Sequence, residues 1–131
     1  MSAVELPRYE RPLGLTLLVA GRDAGLWAVE GPFVLRWQGR DIVVPDRFVT
    51  DGPSIPRWFR ALIPVRGRLW PASVIHDHLY WHQPPGWTRK DADRVFRLAL
   101  QTSGIGPVTR WAMWLAVRAG GWVLWHDDKG A

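Results

Sequence analysis

Five prolines stand close together in the middle of the chain, at positions 45, 53, 56, 64 and 71. Proline removes a backbone donor and disfavours helix at the residue before it, so this stretch cannot form a central strand or a long helix. We predict an ordered loop over residues 50–70, with a short turn of helix near Trp58 to Leu62. The loop separates a strand-rich half, residues 13–49, from a helical half, residues 71–125, so the predicted fold class is α+β.

The half before the loop has the pattern of short β-strands. Apolar runs rich in β-branched and aromatic residues alternate with breaks that contain glycine, which is typical of strands and their turns. These runs predict one small antiparallel sheet, with strands at Leu15 to Ala20, Leu26 to Val29, Phe33 to Trp37 and Asp41 to Val44.

The half after the loop has three segments of helical character. Thr88 is a hydroxyl N-cap with Asp91 three residues later, followed by apolar residues at helical spacing, which predicts a helix with a capping box. A short Pro84-Pro85-Gly86 connection precedes it, so this helix and the one before it are predicted to form an antiparallel pair. The predicted helices are Ala72 to Gln83, the segment between Thr88 and Ser103, and Val108 to Ala119.

The length and composition of the chain indicate one domain over residues 1–131. A chain of this size can bury a sufficient core, and the absence of cysteine excludes disulfides, thiolate metal sites and thiol nucleophiles. Met1 to Arg11 lacks the basic start and apolar stretch of an export signal, and Trp111 to Trp125 is shorter than the ~20 apolar residues of a membrane span. We therefore expect a protein made in the cytoplasm, without a signal peptide or a transmembrane helix.

The charge of the chain is strongly positive, with a net charge of +5 and a pI near 10.7. This allows attraction to phosphates, but the arginines that make up most of the basic residues are scattered without clustering, which disfavours nucleic acid as a partner. The ten tryptophans supply core volume and also have an affinity for membrane interfaces. Arginine and tryptophan together suit phospholipid or a membrane surface as a partner.

The residues most suited to chemistry lie on the two paired helices. His76 and Tyr80 are four residues apart and share a helix face, while Asp77 is rotated by ~100° from His76. The second helix returns against the first, so Asp93 in its opening turns can lie beside His76. An imidazole held by a carboxylate is what general-base catalysis requires, and Asp77 with the carbonyls of the 50–56 loop could bind a hard cation such as calcium.

Each of these residues also has a simpler interpretation. Asp51-Gly52 is a common turn sequence, and Asp93 near a helix N-terminus is favourable electrostatically. Ser54 could act as a nucleophile activated by His76, but it lacks the Gly-x-Ser-x-Gly elbow, so a role in shaping the loop is the alternative. Arg57 could bind a phosphate or serve solubility.

Two further histidines, His78 and His82, are four residues apart on the first helix. This spacing allows a pair of zinc ligands. The sequence offers no evident third ligand, so the pair is interpreted as solvated.

Four blocks of sequence occur in order between about Asp46 and Gly120. They resemble the hallmark blocks of a small uncharacterised family that is common in tailed phages, prophages and bacteria. The resemblance implies a phage or prophage structural or assembly protein, associated with virion components, in which the polar residues form a buried network. The blocks are Phe48-Val-Thr-Asp-Gly-Pro-Ser-Ile-Pro-Arg57, Val74-Ile-His-Asp-His-Leu-Tyr80, Ala92-Asp-Arg-Val-Phe96 and Ala116-Val-Arg-Ala-Gly120.

The second and third blocks are also similar to the His-Asp-x-x-Tyr and Ala-Asp-x-x-Phe blocks of phospholipase A2, especially the compact form in parvovirus capsids. This resemblance implies that His76 activates a water molecule, Asp77 binds calcium and Asp93 orients His76. The glycine-rich calcium loop and the cysteines of that family are absent, so the carbonyls of Asp51-Gly52 would complete the calcium site. The hypothesis is a calcium-dependent, phospholipase A2-like hydrolase, with Tyr80 and Arg57 at the substrate and Thr50 and Ser54 supporting the loop.

Overall fold

A computed structural model describes residues 5–19, 26–50, 66–120 and 125, in which strands are followed by helices. The α+β fold class predicted from the sequence is therefore confirmed. The strands are β1 (Arg8–Tyr9), β2 (Leu15–Val19), β3 (Leu26–Val29), β4 (Phe33–Trp37), β5 (Arg40–Val44) and β6 (Val49–Thr50), and the helices are α1 (Arg66–His82), α2 (Arg89–Thr102) and α3 (Pro107–Gly120).

The strands form two antiparallel sheets of three strands, with the orders β1-β4-β5 and β2-β3-β6, whereas one sheet was predicted. Strands β4 and β5 form a hairpin whose turn residues, Gln38 and Gly39, both have positive φ, as a tight turn of the type I′ kind requires. The two-residue strands β1 and β6 were not predicted, because segments so short have no detectable alternation. β6 places Thr50 opposite Trp27 of β3.

The helices agree with the prediction except at the start of α1. This helix begins at Arg66 rather than Ala72, and it contains Pro71. Leu69 is buried, so its packing can offset the hydrogen bond that Pro71 removes from the helix. α2 begins after Thr88, and both hydrogen bonds of the capping box with Asp91 are present.

The core lies between the β4-β5 hairpin and the helix pair α1 and α2. Each large side chain buried here contributes about 1.5–3 kcal/mol by its removal from water. The residues of this core include Phe33, Leu35, Ile42, Val44, Val74, Ile75, Leu79, Val95 and Leu100. α3 packs on α2.

Candidate functional site

The centre of the site is Asp93, a carboxylate in α2 that is 0% exposed. Its Oδ1 accepts a hydrogen bond of 2.5 Å from the Tyr80 hydroxyl and lies 2.8 Å from Nε2 of His76. Its Oδ2 accepts a hydrogen bond of 2.8 Å from Nη1 of Arg118 and lies 3.5 Å from Nη1 of Arg89. Both oxygens of this buried carboxylate are therefore hydrogen-bonded or ion-paired.

Three helices supply these groups. His76 and Tyr80 lie one turn apart on α1, and the short connection to α2 turns the chain back so that Asp93 meets both of them. Arg89 precedes Asp93 by one helical turn, and Arg118 reaches it from the last turn of α3. The sequence thus predicted correctly that the two paired helices bring an imidazole and a second acid together.

Arg89 also holds the C-terminal end of α3. Its Nη1 donates to the carbonyl oxygens of Val117 and Arg118, at 3.3 Å each. The last four carbonyls of a helix have no partner within the helix and carry partial negative charge, so a guanidinium is a favourable cap. Arg89 therefore fixes the end of α3, and with it Arg118, relative to Asp93.

The ionisation of the cluster follows from these contacts. Burial acts to raise the pKa of Asp93, but the hydrogen bonds from His76, Tyr80 and Arg118 outweigh it and hold the pKa below its ordinary value. Asp93 is therefore ionised at neutral pH. Burial, and then the hydrogen bond to Asp93, raise the pKa of Tyr80, so its hydroxyl stays protonated and remains a donor.

The imidazole of His76 packs against two aromatic rings. Its centroid lies 4.2 Å from that of Tyr80 and 4.7 Å from that of Phe96, and its side chain is 12% exposed. An ionised carboxylate only accepts hydrogen bonds, so Nε2 carries the proton that is donated to Asp93. In the neutral ring Nδ1 then has the free lone pair, which is the tautomer that a general base needs.

Asp77 lies beside the point where the predicted loop leaves the sheet. Its Oδ2 accepts a hydrogen bond of 3.0 Å from Oγ1 of Thr50, the buried last residue of β6. Within residues 5–19, 26–50 and 66–120, no three His, Asp or Glu side chains come together in a way that could hold a metal ion. Calcium therefore stays a prediction. The other predicted loop residues, Asp51, Gly52, Ser54 and Arg57, lie outside the described residues, as does the predicted helical turn near Trp58 to Leu62.

Sequence reasoning missed the two arginines. Arg89 precedes Asp93 by four residues, and this spacing on a helix predicts an ion pair. Arg118 lies in the fourth sequence block, but nothing in its local pattern indicates a contact with a residue 25 positions earlier.

His78, interpreted as solvated, is buried at 8% exposure. Its ring packs edge-on to Phe48, with centroids 5.5 Å apart, and lies 4.4 Å from the ring of His82. Burial, and then the nearby His82, lower the pKa of His78 to about 4. Among the residues that the structure describes, its buried Nδ1 has no hydrogen-bond partner. Because its pKa is lowered, the ring is a neutral packing residue at neutral pH.

The fold and the site define a small α+β protein whose three helices meet at a buried His-Asp-Tyr cluster held by two arginines. The chain belongs to the family described as "Protein of unknown function (DUF1353)", whose family model matches residues 27–117. The match includes His76, Tyr80, Arg89 and Asp93. No curated protein and no solved structure matches the chain.

Proposed function

We propose that the protein is a hydrolase that resembles phospholipase A2, in which His76 activates a water molecule to attack an ester bond. The observation that carries this proposal is the 2.8 Å contact between Nε2 of His76 and Oδ1 of the buried, ionised Asp93. It supports a ring of fixed orientation and tautomer. The same carboxylate stabilises the positive charge that the ring acquires when it takes a proton.

The proposed step follows from this tautomer. Nδ1 of His76 takes a proton from water while the water oxygen attacks the carbonyl carbon of the ester. When the tetrahedral intermediate collapses, the same imidazolium returns the proton to the leaving alkoxide, so a carboxylic acid and an alcohol are formed. The His76 side chain is 12% exposed, and the proposal places the water and the ester at this exposed part of the ring.

Tyr80 acts in this proposal as a positioning residue. Its hydroxyl is engaged by Asp93 and its side chain is 6% exposed, so its effect on substrate is indirect. Arg57, in the loop predicted from the sequence, is the proposed contact for a phosphate of an anionic or lipid substrate.

Calcium is the metal that we propose for the site. Asp77 supplies one carboxylate of the kind that calcium prefers, oriented by Thr50, and the carbonyls of Asp51 and Gly52 would supply further oxygen ligands. A bound calcium ion would polarise the ester carbonyl. The roles of His76 and Asp93 in proton transfer are the same with or without it.

The test compares hydrolysis by the wild type, by His76→Asn and by a matched control, His82→Asn. His82 is exposed at the end of the same helix, so the control makes an identical change away from the cluster. With a soluble ester and with phospholipid vesicles, His76→Asn should lower kcat/KM by about 10²- to 10⁴-fold, whereas the control should match the wild type. Calcium binding is tested by comparing the melting temperature in calcium with that in EDTA, because a ligand that binds the native state raises the melting temperature.

The alternative is a phage or prophage structural or assembly protein in which the cluster serves only stability. The observation that favours it is the complete satisfaction of Asp93, whose partners join α1, α2 and α3. Absence of hydrolysis by the wild type, with and without calcium, together with a large loss of stability in His76→Asn, would favour this alternative over catalysis.

A further inference from the structure

The side of α3 that faces away from the core is apolar along its whole length. Val108, Trp111 and Leu115 are 84%, 45% and 60% exposed, and their spacing of three and four residues puts them on one side of the helix. The opposite side contributes Met113 to the core. A helix at the surface of a soluble domain normally has a polar outer side, so this side is unusual. We define the outer face of α3 as these three exposed residues and the alanines at positions 112, 116 and 119.

Arg97 borders this outer face, and Arg94 and Arg110 lie near Arg97. The guanidinium carbon of Arg97 lies 4.0 Å from the ring centroid of Trp111 and 5.7 Å from that of Trp114. Burial, and then the positive charges of Arg94 and Arg110, lower the pKa of Arg97, so Arg97 lies close to both of these cations. The guanidinium carbon of Arg94 lies 5.7 Å from the ring centroid of Trp37, and Nη1 of Arg110 donates to the carbonyl oxygen of Ile105 at 3.2 Å. In the part of the chain that the structure describes, no carboxylate forms an ion pair with any of these three arginines. Uncompensated positive charge thus lies beside an exposed apolar surface.

We propose that the outer face of α3, with Arg94, Arg97 and Arg110, docks the protein on the surface of an anionic phospholipid bilayer. Val108 and Leu115 would enter the boundary of the acyl chains, and the indole of Trp111 would lie at the level of the headgroups. The guanidinium groups would bind lipid phosphates. The chemistry of the surface matches this partner in both apolar character and charge.

The length of α3 indicates that it lies in the plane of the interface. It has 14 residues, and none of the helices in the described ranges is long and apolar enough to cross a membrane. A second copy of the chain is a less suitable partner, because contact between two outer faces would bring together Arg97 and the arginines near it in both copies, and like charges at a contact repel.

This inference goes beyond the proposed hydrolysis and does not depend on it, because binding to vesicles is measured without turnover. The two surfaces are joined through one helix, since Arg118 of α3 reaches Asp93. A protein docked by α3 would therefore hold the His76 cluster close to the bilayer.

The test is sedimentation of the full chain with vesicles of phosphatidylcholine alone and with vesicles that also contain phosphatidylserine. The wild type should bind the anionic vesicles and release them as NaCl is raised, because salt screens the arginines. Leu115→Glu should weaken binding at least tenfold by placing a carboxylate in the apolar face. The combined change Arg94→Gln and Arg110→Gln should weaken it about 25-fold, since each arginine near an anionic surface contributes about fivefold.

The matched control is Val43→Glu, which makes the same change of charge at a residue of β5 that is 48% exposed. Val43→Glu should bind like the wild type, because it leaves α3 unchanged. It is a fair control because it changes the net charge by the same amount as Leu115→Glu. Equal weakening by the two variants would overturn the proposal, as it would reduce binding to a general effect of net charge. A wild type that ignores anionic vesicles but forms a dimer that Leu115→Glu dissociates would also overturn it, and would assign the face to a second copy.

Discussion

The substitution Asp93→Asn tests the structural account of the cluster most directly. An amide keeps the shape of the carboxylate but removes its charge, and its NH₂ group would face a guanidinium donor that now lies 2.8 Å from an oxygen. Breaking a buried ion pair by removing one partner costs roughly 3–5 kcal/mol. The side chains of Arg89 and Arg118 are 19% and 30% exposed, so water can solvate part of the released charge, and we expect about 3 kcal/mol.

Urea denaturation followed by circular dichroism measures this loss. With a slope of about 1–3 kcal/mol per molar, the midpoint of Asp93→Asn should fall by about 2 M. The control is Asp91→Asn, which changes a partly exposed carboxylate two residues earlier in the same helix and should cost about 1 kcal/mol or less through the capping box.

A double-mutant cycle separates the ion pair from other effects. If the contact between Arg118 and Asp93 is as described, Arg118→Gln should destabilise the wild type but have a much smaller effect in the Asp93→Asn background, with a coupling of about 1–3 kcal/mol. Additive losses, or a midpoint of Asp93→Asn within experimental error of the wild type, would contradict the ion pair between Arg118 and Asp93, because an uncompensated arginine next to a buried site cannot be without cost.

Two further variants probe neighbouring groups. Tyr80→Phe should cost about 1.5–3 kcal/mol in urea denaturation, because it removes a hydrogen bond to a charged acceptor, and a cost below 0.5 kcal/mol would contradict that contact. The lowered pKa of His78, about 4 against an ordinary 6.5, means that the unfolded chain binds a proton over this range while the folded protein does not. The free energy of unfolding should therefore fall as the pH falls from about 6.5 to about 4, by up to about 3 kcal/mol, and His78→Phe should remove that part of the slope. The stabilisation that Asp93 contributes is also lost as the pH falls. This loss occurs in more acidic solution than that of His78, because the pKa of Asp93 lies below its ordinary value of 3.8.

The fold was predictable where a local signal and the tertiary contacts agree. The start of α2 follows from the hydroxyl of Thr88 and its capping box, which the structure contains. The predicted start of α1 was wrong, because the sequence analysis placed the first helical residues after Pro71. In the structure the helix begins at Arg66, and the buried Leu69 lies in the part before the proline. The separation of the strands into two sheets was also missed, since the two-residue strand that ends at Thr50 has no pattern of its own.

The candidate site was predictable to the extent that it depends on the helix pair. His76 and Asp93 belong to neighbouring helices with a short connection, so their meeting follows from the direction in which the second helix must return. Arg118 belongs to the third helix, and its position depends on how α3 is rotated about its own axis. That rotation is not encoded locally.

The sequence of α3 explains why. Apart from Thr109 and two arginines, the helix is apolar on every side, so burial of hydrophobic surface alone would accept several rotations of α3 against α2 with similar energy. The polar contacts at its C-terminal end remove this ambiguity, because only one rotation lets Arg118 donate to Asp93 while Arg89 donates to the carbonyls of the last turn. The same rotation leaves Trp111 and Leu115 exposed. The buried cluster and the outer apolar face therefore belong to one and the same orientation of α3, the one in which Arg118 meets Asp93 and Arg89 meets the end of the helix.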